Sequence, residues 1–98
     1  MNGFQDRMAT LRQEFVRRCP ADRAALLTAQ AERDWAELER IAHSLAGRAG
    51  LFGFAAFGTA ARDLEITLSR ASSDEQVDVA LRTLLAAFPD APSDPTNR

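Results

Sequence analysis

Between positions 35 and 52 the apolar residues Trp35, Leu38, Ile41, Ala42, Leu45, Ala49 and Phe52 recur at three- and four-residue steps. At about 100° per residue these positions form one stripe, the pattern of an α-helix that buries a single side. A second stripe follows almost at once, in which Phe54, Phe57, Ala61, Leu64 and Leu68 step by three, four, three and four. No run alternates for long enough to suggest a strand. Two amphipathic helices joined by so short a connection pack antiparallel, each covering the other's apolar side. This pairing makes the chain all-α.

The flanking segments extend the pattern. Phe4, Met8, Leu11 and Phe15 mark a first helix that runs to about Arg18. Pro20 lacks a backbone donor and biases Cys19 away from helical geometry. A break is expected there, followed by a shorter helix over about Ala21 to Glu32 with Ala24, Leu27 and Ala31 inward; a kinked continuous helix reads similarly. Asp34 is the expected N-cap of the next helix, with Glu37 completing a variant capping box. Gly53 suits a left-handed C-cap. The following helix begins near Phe54 and ends near 70–72. Ser73 or Asp74 caps the last one, with Gln76 as capping partner and Val77, Leu81, Leu84 and Phe88 inward, and Pro89 stops it. The expected fold is an up-and-down antiparallel four-helix bundle with an additional short N-terminal helix. It occupies one domain, 1–89, and residues 90–98, proline-rich and nearly devoid of apolar side chains, form a disordered tail.

Composition narrows the function classes. Ninety-eight residues, 46% of them hydrophobic, fill one small core. Twelve basic against fourteen acidic residues give a net charge of −2, which argues against a nucleic-acid partner. No apolar run approaches the ~20 residues that span a bilayer. The first residues lack the apolar centre of a signal peptide. The single cysteine, Cys19, excludes an internal disulfide. These features lead to the expectation of a monomeric cytoplasmic protein that does not engage membranes.

His43 is the only histidine. It lies roughly 140° from the middle of the apolar stripe, beside Glu39, Ala46, Gly47 and Gly50. Each glycine inside a helix costs roughly 1 kcal/mol relative to alanine, against a total stability of about 5–15 kcal/mol. Clearance around the imidazole accounts for that cost. Several chemistries drop out. No nucleophile context surrounds Ser44 as a hydrolytic triad requires. There is no phosphate-cradling G-x-x-x-x-G-K-[ST] loop. One cysteine and one histidine are too few for a zinc site, so neither a metal nor a cofactor is expected. What remains is His43 as a nucleophile, with its other ring nitrogen held by a carboxylate. Glu65, on the margin of the returning helix's stripe, is the best candidate for that carboxylate. Arg62, three residues earlier and nearer to solvent, is placed to meet a phosphate.

The run from His43 to Glu65 resembles the histidine-containing phosphotransfer (HPt) domain family. That family's pattern is roughly H-x-L-K-G, then a small residue, a glycine ten residues after the histidine, and Glu or Gln twenty-two residues after it. His43, Leu45, Gly47, Gly50, Gly53 and Glu65 match, and Asp34, Trp35 and Leu38 resemble the family's helix start. The resemblance implies that His43 accepts a phosphoryl group from a receiver-domain aspartate of a hybrid histidine kinase. It then passes the group to a response-regulator receiver. Glu65 would orient the imidazole and Arg62 would contact the phosphate, while Gly47, Gly50, Ala46 and Arg48 would face the partner. Such a chain is a relay intermediate rather than a conventional enzyme, with no ATP site; the magnesium belongs to the receiver. Ala46 departs from the family, which usually has lysine there, with Arg48 and Arg62 as the substitutes at hand. This departure keeps open a non-phosphorylated adaptor or a helical dimerisation module.

Overall fold

The computed structural model describes residues 3–70 and 72–89. They form four helices: α1 (Gly3–Ala31), α2 (Trp35–Phe52), α3 (Ala55–Ser69) and α4 (Asp74–Ala87). The connections are only a few residues long, and the cross-helix contacts run in antiparallel order. His43 on α2 meets Glu65 on α3, while further along α2 Ala49 and Gly50 meet Gly58. Gln30 near the end of α1 donates to Asp78 near the start of α4 at 2.8 Å, and Arg33 pairs with Asp74 beside it. The result is an up-and-down four-helix bundle, all-α among the described residues.

The expected break at Pro20 is absent, so the two N-terminal segments are one helix and no additional short helix precedes the bundle. An uninterrupted helix keeps its phase. Phe15, Cys19, Leu26 and Ala29 therefore stay on one side and are buried, whereas Ala24, Leu27 and Ala31, the inward set of a re-initiated helix, are exposed. The N-terminal turns differ from expectation too. Phe4 is 71% exposed and Leu11 also faces solvent. The end of α2 explains this, because Phe52 already lies against Arg12 and Phe15. The first turns of α1 run past it without a partner helix.

The helix ends follow local chemistry. The Asp34 side chain accepts from the Glu37 amide at 3.1 Å. The Glu37 carboxylate turns instead to Arg40, so the box is half made. Gly53 closes α2 in the left-handed region, φ 85°, which a Cβ would penalise. At α4 both halves of the Ser73–Gln76 capping box are present.

The core is apolar throughout, with no buried polar or charged residue among those described. Leu26, Leu38, Leu45, Phe57, Leu64, Leu81 and Leu84 are fully buried, each contributing about 1.5–3 kcal/mol by its removal from water. Phe15 from α1 sits among Phe52, Phe54 and Phe57, with ring centroids 5.5 to 6.0 Å away. Phe88 closes on Phe57 at 4.5 Å. This aromatic cluster locks α1 across the α2–α3 turn and so fixes the helix pair that carries His43. The tail expected over 90–98 lies outside the described residues.

Candidate functional site

His43 stands in the middle of α2, on the side away from the core, with its side chain 75% exposed. Its Nδ1 lies 2.6 Å from Glu65 Oε2 on α3. An ionised carboxylate only accepts, so Nδ1 carries the proton and donates it. In the neutral ring the lone pair then lies on Nε2, which makes no hydrogen bond among the described residues. Glu65 is itself only 26% exposed. Partial burial between two helices strengthens the charge-assisted bond and holds the ring in one orientation. The sequence order of these two residues says little. Their meeting follows from the antiparallel return of α3.

That same register, in which 43 meets 65 and 50 meets 58, sets Arg62 level with Ala46 across the helix pair. Arg62 is exposed and makes no hydrogen bond or ion pair among the described residues. It does not pair with Glu65, whose carboxylate is taken by His43. Arg62 is thus an unengaged cation one helical turn from the residue that holds the imidazole.

Arg48 sits elsewhere. Its guanidinium lies on the α1 side of α2, where it donates to the Ser44 hydroxyl at 2.9 Å and stacks 5.8 Å from the Phe15 ring centre. Asp22 Oδ2 is 4.0 Å away. The structure brings Arg48 to the α1–α2 seam rather than to His43. Ala46 is half-buried and packs on the core. The chain contains twelve arginines and no lysine, so any positive charge at this site comes from arginine.

The glycines divide by role. A Cβ added to Gly47 or Gly50 would meet no atom within 4 Å. Packing inside this molecule does not require glycine at either position. Gly58 is different: an added Cβ would lie 3.4 Å from the Ala49 Cβ and 3.7 Å from the Gly50 amide nitrogen. Gly58 would thus put an added Cβ in van der Waals contact with α2, which leaves no room for a larger side chain between the two helices. It belongs to no motif, and its one signal in the sequence is that it breaks a good helix-forming stretch. Arg40, three residues before His43, also escapes notice in the sequence. It forms a two-pronged bond with Glu37 at 2.8 and 2.6 Å, which holds the Glu37 carboxyl below the usual range and raises the guanidinium above its own. Its charge is thereby largely spent on Glu37.

Among the described residues no helix is long and apolar enough to cross a membrane, and no group of three or more acidic, histidine or cysteine side chains is placed to hold a metal. A search of curated proteins and a search of solved structures each found no match. The family model of the Hpt domain matches residues 10–91, which takes in all of α2, α3 and α4 and most of α1. With that match over the whole bundle and a carboxylate-held histidine at its centre, the chain belongs to the Hpt domain family.

Proposed function

We propose that this protein is the histidine phosphotransfer component of a two-component phosphorelay, with His43 as phosphoacceptor. The observation that carries the reading is the 2.6 Å bond from His43 Nδ1 to Glu65, on a ring that otherwise stands in solvent. Attack by the Nε2 lone pair on an aspartyl phosphate forms the N–P bond. The P–O bond to aspartate breaks, and the carboxylate leaves with the electron pair. The ring becomes cationic, and Glu65 stabilises it by keeping the Nδ1 proton. The same steps in reverse deliver the group to a second receiver. Arg62 faces the transferred phosphoryl from the α3 side, where a guanidinium favours negative charge. Magnesium and the acidic pocket are the receiver's to supply.

Ala46 favours one competing reading, a docking adaptor that takes no phosphate. The two readings part in one assay: receivers phosphorylated on aspartate are incubated with the wild type and with His43→Gln. Acid-labile label on the wild type alone is expected. Label on neither protein would sustain the adaptor instead.

A further inference from the structure

Glu37 and Arg40 pair on α2 itself, just before His43, at 2.8 and 2.6 Å. The Arg40 side chain is 67% exposed. Neither side chain bonds to another helix among the described residues, so the pair ties no two helices together. Around α2, Ala46, His43, Arg40 and Glu37 follow one another at intervals of about 60°. Gly58 of α3 packs on the Ala46 side, so Arg40 flanks His43 on the other. Residues three apart on a helix have their Cβ atoms about 5–6 Å from each other. Helical side chains lean toward the N-terminus, which carries the imidazole over the turn of Glu39 and Arg40. Its Nδ1 is tied to Glu65 on α3, and the two ring nitrogens face apart, so Nε2 points away from Glu65. Glu39 is half-buried in that turn and makes no hydrogen bond or ion pair among the described residues. It leaves an uncompensated negative charge there, to which a phosphoryl group on Nε2 adds about two more.

We propose that Arg40 is a phosphate-binding residue held in reserve: Glu37 grips its guanidinium while His43 is bare, and a phosphoryl group on Nε2 takes it over. The assignment rests on the reading of His43 as phosphoacceptor. A phosphoryl group offers the guanidinium paired oxygens as a carboxylate does, with more charge, so the fork that now fits Glu37 fits it as well. An exposed carboxylate is a weak competitor, because water screens the pair and both long side chains lose freedom in holding it. Glu37, once released, is satisfied by water and needs no new partner. Arg40 reaches the phosphoryl group from the side of His43 opposite to α3, and thus opposite to Arg62. The cation missing at Ala46 is replaced from the turn before His43 rather than from the turn after it.

The test labels the full chain with phosphoramidate, whose P–N bond breaks to release ammonia as Nε2 bonds to phosphorus. Three variants are compared with the wild type: Arg40→Gln, Glu37→Gln, and Arg33→Gln, which removes the same charge from a pair at the start of α4. The phosphohistidine lifetime is expected to fall about fivefold in Arg40→Gln and to rise about twofold in Glu37→Gln, which frees the guanidinium. It is expected to stay unchanged in Arg33→Gln. In the 15N-labelled wild type the Arg40 Nε–H resonance, assigned by its loss in Arg40→Gln, moves on phosphorylation. A pair that only braces the helix behaves otherwise: Arg40→Gln and Glu37→Gln then change the lifetime alike, and the resonance stays in place. Either of these results overturns the proposal while leaving His43 as acceptor. A wild type that takes no label overturns the reading of His43 as phosphoacceptor itself.

Discussion

His43 and Glu65, twenty-two residues apart in the chain, share a 2.6 Å hydrogen bond across the α2–α3 pair. As the attack proceeds the ring becomes cationic, and the charge-assisted bond then gains about 1.5–3 kcal/mol on which the resting, surface pair does not draw. Glu65→Ala is therefore expected to slow phosphoramidate labelling of His43 by roughly 10- to 100-fold, with Glu65→Gln in between. Both proteins should melt close to wild type, because the pair is at the surface. An unaltered labelling rate in Glu65→Ala would show that the carboxylate does not orient the ring.

Gly47 separates stability from docking. With nothing within 4 Å of its missing Cβ, Gly47→Ala should raise stability by up to ~1 kcal/mol, read by urea denaturation. Gly47→Gln should fold as well but lower the ratio of receiver-driven to phosphoramidate-driven labelling, since its side chain stands where the partner closes. Gly58→Leu should do the opposite kind of damage. It forces α3 away from Ala49 and costs about 1–3 kcal/mol. Equal stability losses at the two positions would contradict this division.

Charge at the phosphate is set by Arg62 and by the missing cation at Ala46. Ala46→Lys places an ammonium about one turn from His43, and at a wet surface such a charge stabilises the phosphoryl group by ~1 kcal/mol. The phosphohistidine should then survive several times longer in a hydrolysis time course. Arg62→Gln should shorten its lifetime by a similar factor. Lifetimes that move with neither substitution would remove electrostatics from the account of this site.

Pro20 lies within α1 yet carries no N–H for the Val16 carbonyl. Pro20→Ala restores that bond and relieves the ring's clash, a gain of up to ~3 kcal/mol. It also frees the unfolded chain, which returns about 0.4–1 kcal/mol. A net rise in melting temperature of several degrees is expected for a domain of this size. A fall would mean that the backbone geometry imposed by Pro20 is needed for Phe15 to reach its aromatic neighbours.

Cys19 supplies a pH dependence. Burial pushes its thiol up from 9.0 to about 11, with Asp22 adding to the rise and Arg48 opposing it. Below pH 9 both folded and unfolded chains hold the proton, and the contribution is complete. Between pH 9 and 11 only the folded chain holds it, so stability falls as pH rises through that window. At ~1.4 kcal/mol per unit, the loss is on the order of 3 kcal/mol. The chain has no tyrosine and no lysine, so no other side chain titrates in that range. Cys19→Ala should flatten the slope in alkaline urea titrations. A slope that persists would assign it to another group.

Much of the fold was legible because helix burial is periodic. The stripes of α2, α3 and α4, the Asp34 and Ser73 caps and the Gly53 terminus all rest on residues within a turn or two of one another. The lone His43 among glycines was legible for the same reason, whereas Glu65 was reached through the antiparallel return of the next helix and the resemblance to the Hpt family. The errors came where a local rule competed with the rest of the molecule. Pro20 disfavours helix locally, but Leu26 and Ala29 reach the core only if the phase of Phe15 and Cys19 carries through, and that burial outweighs the proline.

The sequence by itself determined that α2, α3 and α4 would form as amphipathic helices and that one histidine would stand clear of their core. Only the tertiary structure decided that Arg48 turns to Ser44 and Phe15 while Arg62 stands unpaired among the described residues. It alone identified Gly58, rather than Gly47 or Gly50, as the glycine that faces the neighbouring helix. The physical reason is that periodicity records which side of a helix is buried. Which neighbour a flanking side chain meets depends on the register and spacing of the helices, and these are set by the packing of the whole core.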